Sequence, residues 1–303
     1  MVVDPLCIHP FMRPCDILLG ARITRPQHPS EDSSTMPPLV PPLVRTVTVT
    51  RYVTPLREGG SLPAVVEADD DGLYVVKFRG AGQGAKALIA ELVAGEIGRA
   101  LGLAVPEIVF AHLDLAIGRN EGDQEVRDLL MASGGLNLAL DYLPGALAFD
   151  PLARPEVDAR MASETVWFDA YVTNVDRTPR NTNLLWWHQR LWLIDHGAAL
   201  YFHHTWNDYL AQSQRPFTAI KDHVLLPWAS ALAEADAALR ARLAPATLER
   251  IVAAIPDAWL SGEGAPFTDV AEHRAAYLAY LTSRLEASPI FLAEAQHARA
   301  ALV

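Results

Sequence analysis

Residues 168–200 read FDAYVTNVDRTPRNTNLLWWHQRLWLIDHGAAL, and this stretch narrows the choice of fold more than any other. Asp176 follows an apolar helical run, in the polar loop NVDRTPRN. Two apolar runs on either side of HQR then read as the strands of a short Trp-rich hairpin, the second of which ends on Asp195, His196 and Gly197. A hairpin returns both strands to one end, so Asn181 before it and Asp195 after it are expected to face a common point.

The chain has 303 residues, half of them apolar, enough to bury a sizeable core in one large domain or two lobes. Its formal charge of -11 and pI near 5.3 oppose general binding to nucleic acid or an anionic membrane, so any phosphate must be met by local cations. The two cysteines, Cys7 and Cys15, fall in a stretch without apolar periodicity and define no disulfide framework. With no membrane-length apolar run and no signal-peptide pattern, a cytoplasmic setting is expected.

Residues 1–42 mix Pro, His, Ser and acidic residues and end in MPPLVPPL, which predicts a disordered or polyproline tail, with Met36 as an alternative start. The folded part then divides into a sheet lobe at 43–143 and a helical lobe at 144–303, with Leu-Pro-Gly at 143–145 as the boundary. Alternation around Val47 and Val49 predicts a first strand. Residues 62–68 and 72–78 predict a hairpin joined by the acidic turn DDDG, read as a solvated turn. Leu88, Leu92, Ile97 and Leu101 mark one long helix ending at Gly102. Two further strands, VPEIVFAHLDL and GLNLALDYL, flank a charged helical insert near 123–132, giving a small antiparallel sheet. Beyond residue 206 the chain is Ala/Leu-rich helix broken by Pro227, Pro245, Pro256, Pro266 and Pro289.

Phosphoryl transfer from ATP requires metals to neutralise charge, a lysine on the phosphates and a carboxylate to orient or deprotonate the acceptor. Asp176 is placed as a catalytic-loop carboxylate, Asn181 can offer an amide oxygen to magnesium, and Asp195 supplies the charged metal ligand. Lys77 ends the strand LYVVK, and Glu91 in the following helix can brace it, with Glu96 as rival partner. The order of these parts along the chain is that of a bilobal α+β kinase.

NVDRTPRN resembles the Asp-Arg-x-x-x-Asn loop of HipA-like kinases and of phosphatidylinositol 3- and 4-kinases, IDHG is similar to their Asp-x-Gly metal site, and AELVAGEIGRALGLAVPE is similar to the HipA-like helix and following strand. The resemblance covers about residues 43–230. It implies ATP and Mg2+ as cofactors. Lys77 would contact the α and β phosphates with Glu91 bracing it, Asp176 would be the catalytic aspartate, and Asn181 and Asp195 the metal ligands. It also implies that the backbone at Asp141 and Tyr142 forms the adenine hinge, and that Gly59, Gly60 and Ser61 form the phosphate-covering loop. Asn174 stands where ordinary protein kinases have His, which favours the HipA-like branch. The chain reads as shorter than toxin kinases of that branch and as having no counterpart of their extra N-terminal subdomain, so an antitoxin-type partner stays an open alternative that the resemblance does not support. The acceptor expected is a protein Ser or Thr. The alternatives are a small-molecule or lipid-headgroup kinase and a nucleotide-binding pseudokinase acting as an interaction module.

Other motifs have ordinary readings. FRGAGQGAK, at 78–86, fails both the Walker A and the dinucleotide patterns and reads as a connector, with phosphate cradling as the sharper alternative and Lys86 as a solvated first-turn residue. His196 reads as packing the Asp-x-Gly turn, and His203 and His204 as loop residues rather than metal ligands. Trp186, Trp187 and Trp192 read as hairpin anchors. Arg177 and Arg180 either meet a substrate phosphate or, for Arg177, orient the loop by bonding Asp169.

Overall fold

The computed structural model describes residues 43–56, 62–82, 84–153, 156–262 and 265–302. The tail at 1–42 and the loop residues Gly59, Gly60 and Ser61 lie outside them. Backbone contacts divide the chain into Met1–Pro41 and Pro42–Val303, and the fold described is that of the second unit.

Five strands, β1 (Thr46–Pro55), β2 (Ala64–Ala68), β3 (Leu73–Lys77), β4 (Ile108–Leu113) and β5 (Gly135–Asp141), close into a barrel in the order β1-β2-β3-β5-β4. Most pairings are antiparallel, as expected. The closing seam is not: β1 runs parallel to β4, with Thr46 opposite Phe110 and Thr48 opposite His112. Alternate residues, among them Val47, Val49, Val66, Val76, Val109, Ala111 and Ala139, fill the interior. Helix α2 (Gln124–Ala132), capped by the Asp123 carboxylate on the N–H groups of Glu125 and Val126, adds Val126 and Leu130 to this core. The acidic turn at 69–71 is no bystander. Asp69 accepts the Thr48 N–H at 2.8 Å, and Asp70 takes Arg45 at 2.6 Å and the Tyr74 hydroxyl at 2.7 Å.

Helix α1 (Ala85–Ala100) is buried on every face from Leu88 to Gly98, because the barrel lies on one side and the helical lobe on the other. It ends at Leu101, and Gly102 takes a left-handed φ of 84°. A small sheet follows, with β6 (Leu147–Ala148) pairing β7 (Leu184–Trp187) and β7 pairing β8 (Arg190–Leu193).

The helical lobe comprises α3 (Ala159–Val172), α4 (Tyr209–Ser213), α5 (Leu232–Arg242), α6 (Pro245–Ala253), α7 (Asp257–Leu260), α8 (Val270–Glu286) and α9 (Ser288–Ala300). Pro245 and Pro289 stand at helix starts and Pro256 at an N-cap, positions where the missing N–H costs nothing. Among the described residues no helix is long and apolar enough to cross a membrane. The architecture is bilobal α+β, a sheet-rich N-terminal region followed by a helix-rich one.

Candidate active site

Lys77 ends β3 with its stem covered by the barrel and α1. Its Nζ lies 3.3 Å from Glu91 Oε2 and 2.5 Å from Asp195 Oδ1. Burial opposes the ammonium charge, but the two carboxylates outweigh it and raise the Lys77 pKa. Glu91 is fully buried and also receives the backbone N–H of His196 at 2.9 Å, while its Oε1 sits 3.2 Å from His196 Nδ1. Against the cost of its burial, Lys77 and His196 hold its carboxyl well below the usual range. One carboxylate from α1 thus ties the strand lysine to the Asp-His-Gly turn. Glu96, the rival, pairs with Arg99 at 3.3 Å instead.

The loop after α3 is built on Asp169. This buried carboxylate meets Arg177 Nε at 2.6 Å, His223 Nε2 at 2.9 Å and Asn174 Nδ2 at 3.0 Å. Burial alone would raise its pKa, and the Arg177 guanidinium and His223 bring it well below normal. Arg177 also donates to the carbonyls of Asn183 and Ile194, which clamps the loop to both strands of the hairpin. Arg177 is therefore a loop brace, and its side chain is buried away from any substrate phosphate.

Asp176 stands half-buried on this clamped loop, and Asn181 Nδ2 donates to its Oδ2 at 2.7 Å. That bond leaves the Asn181 amide oxygen free. Burial and then the Asp195 charge raise the Asp176 pKa. Asp195 itself adopts a left-handed φ of 54°, held by the hydrogen bonds on either side of it. Asn183, also left-handed at φ 48°, brings its side-chain amide to Asp176 and, like Asn181, favours the charged form of that carboxylate. Sequence reading passed over Asn183; a second amide two positions after Asn181 was the available signal.

Oxygen donors from Asp195 and Asn181 suit a hard cation such as Mg2+, and the repulsion between Asp176 and Asp195 is what a cation would relieve. Among the described residues no group of three or more His, Cys, Asp or Glu could hold a metal alone, so phosphate and water would complete such a site.

The two N–H groups expected to meet adenine are already engaged. The N–H of Asp141 is taken by the Glu107 carbonyl at 2.8 Å and that of Tyr142 by the Leu73 carbonyl at 2.9 Å. Neither can donate to adenine. The next N–H, on Leu143, has no acceptor among the described residues, and just after it Trp187 Nε1 donates to the Pro144 carbonyl at 2.9 Å. Which N–H groups a barrel seam uses depends on register, which residue type does not reveal.

His203 also departs from expectation. It is fully buried, with Nδ1 3.0 Å from the Tyr277 hydroxyl, rather than a loop residue. Trp186, Trp187 and Trp192 are partly buried along the hairpin, with Trp187 edge-on to Trp192 at 5.3 Å.

The sequence profile of the HipA-like kinase family matches residues 49–286. No curated protein sequence matches significantly. Among solved structures, the fold is similar to that of the Helicobacter pylori proinflammatory kinase CtkA, at 13% identity and a TM-score of 0.51, covering 84% of this chain and 99% of that one. A Golgi casein kinase with manganese and ADP bound aligns at 9% identity and a TM-score of 0.44, covering 82% of this chain and 72% of the other.

Proposed function

The chain belongs to the HipA-like kinase family, and on that premise we propose that it passes the γ-phosphoryl group of ATP, with Mg2+, to a hydroxyl acceptor, a protein Ser or Thr. The observation that carries this reading is the convergence of Lys77, Glu91 and Asp195 in one charged group, with the Asp176–Asn181 pair near enough to Asp195 to feel its charge. In this reading Lys77 holds the α and β phosphates and Glu91 keeps it extended. Asp195 and Asn181 hold magnesium, which when bound neutralises phosphate charge. The adenine is met by the Leu143 N–H. The acceptor oxygen bonds to the γ phosphorus, the bond to the β–γ bridging oxygen breaks and ADP leaves. The hydroxyl proton goes to the Asp176 carboxylate, which the Arg177–Asp169 brace keeps in position. A cytoplasmic setting fits this ATP-dependent role.

The test is mass spectrometry of the protein with ATP and Mg2+, alone and then with cell lysate. Asp176→Ala and Asp195→Ala are each expected to abolish transfer while circular dichroism stays unchanged; turnover like that of the native protein in either variant would sink the assignment. One observation favours a second reading, a nucleotide-binding interaction module: the carboxylate meant for metal is already paired with Lys77. ATP binding without any magnesium-dependent turnover would decide for that reading.

A further inference from the structure

The chain has only three lysines, Lys77, Lys86 and Lys221. Lys77 lies between Glu91 and Asp195, and Lys221 pairs with Asp222 at 2.8 Å. Among the described residues, Lys86 alone of the three has no carboxylate partner. It stands in the first turn of α1, whose N-cap is Gly84, a residue with no side chain to cap the helix, and whose first turn holds no acidic residue. A cation at the positive end of a helix is the reverse of what helix stability favours, so this end of α1 gathers positive potential in a chain whose net charge is -11.

That end of α1 lies beside the site. A Cβ built on Gly197 would stand 3.8 Å from both the Cβ and the carbonyl oxygen of Ala87, so the first turn of α1 packs on the Asp-His-Gly turn. Past Gly197 the chain enters the 3-10 turn Tyr201–His204, whose Tyr201 N–H donates to Thr173 Oγ1 at 3.3 Å, at the start of the catalytic loop. In this turn His203 is fully buried and its Nε2 has no partner among the described residues. The His204 ring lies 4.7 Å from that of His203 and 5.5 Å from that of Tyr201. Burial and then the charge of Lys86 lower the pKa of His204, and burial, His204 and Lys86 lower that of His203, so the lysine is within electrostatic reach of both rings. Two apolar side chains on these two segments are exposed: Tyr201, at 61%, in the 3-10 turn, and Val175, at 37%, next to Asp176.

We infer that Lys86 and His204 form an acceptor subsite for a carboxylate or phosphate group on a polypeptide, with Tyr201 and Val175 as its apolar flank, so that the acceptor hydroxyl lies in an acidic segment. The inference rests on the phosphotransferase reading for the word acceptor, but the subsite is measurable without turnover. ATP is the rival source of the anion; its phosphates are assigned to Lys77 and the metal.

The experiment uses the full chain and three labelled peptides of equal length around one Ser, flanked by Glu, by phosphoserine or by Lys, with binding read by fluorescence anisotropy. The native protein is expected to bind the Glu or phosphoserine peptide about tenfold more tightly than the Lys peptide. Which of the two anionic peptides binds better names the anion. Lys86→Glu is expected to erase that preference while magnesium-dependent ATP hydrolysis without peptide changes less than about twofold, and Lys86→Met, which keeps the stem, is expected to erase it too. An unchanged peptide preference in folded Lys86→Met overturns the subsite. So does a raised KM for ATP with the preference intact, which would give Lys86 to the nucleotide. Should the native protein turn over no ATP yet show a Glu-peptide preference that Lys86→Met removes, the phosphotransferase reading fails and the anion subsite stands.

Discussion

Glu91 is out of reach of water, so its charge is offset by the Lys77 ammonium and met by the backbone N–H of His196. Glu91→Gln keeps the volume and withdraws the charge, which leaves Lys77 to swing fully onto Asp195. We expect kcat/KM for ATP to fall about 100-fold, a loss typical of one misdirected electrostatic group; unchanged steady-state kinetics would detach Glu91 from the site. Asp169 offers a test by pH. Its folded pKa lies below the ordinary 3.8, so it contributes stability in full above about pH 4 and loses it as the pH falls below that value. Asp169→Asn is expected to flatten this acid limb in denaturation curves, and to cost about 3–5 kcal/mol at neutral pH because Arg177 is left buried without its partner. Lys77, Glu91 and Asp195 could be picked out from the sequence because each is a charged residue in an apolar frame, and Asp176 and Asn181 because they share a polar loop between an apolar helix and an apolar hairpin; the geometry gathers them. Leu143 and His203 could not, since what distinguishes them is an unused N–H and a buried ring, neither of which residue type announces.

Helix α1 shows how far element-level reading reaches. The spacing of Leu88, Leu92 and Ile97 and the stop at Gly102 were legible, whereas burial on every face was not, because it comes from the helical lobe closing over the side away from the barrel. Gly98 marks that closure: a Cβ there would stand 3.1 Å from Val105 Cγ2 and 3.4 Å from Phe168 Cζ. Gly98→Leu is expected to overpack the junction and cost about 1–3 kcal/mol, despite the gain in helix propensity. Thermal denaturation would check it, and a Tm at or above that of the native protein would show slack that the packing does not display. The strands were readable from alternation, but the parallel seam was not, since period-2 patterning orients faces and is blind to strand direction.

At the scale of the molecule the two lobes are riveted at several points. Leu193 N–H donates to the Ala104 carbonyl at 2.7 Å, Arg242 Nη1 to the Leu101 carbonyl at 3.0 Å, and Phe110 meets Trp259 edge-on at 5.7 Å. Residues 43–302 are therefore expected to unfold in one calorimetric transition. Trp259→Ala removes a buried ring for about 3–5 kcal/mol and should split that transition in two; a single unsplit peak would mean that the backbone rivets suffice. The parallel seam has a consequence on the ribosome. The edge of β1 that pairs with β4 waits for a partner made roughly sixty residues later, about 3–12 s at 5–20 residues per second. For that interval the nascent chain exposes an unfilled ladder of Thr and Val, the kind of edge that another nascent chain or a chaperone can occupy first.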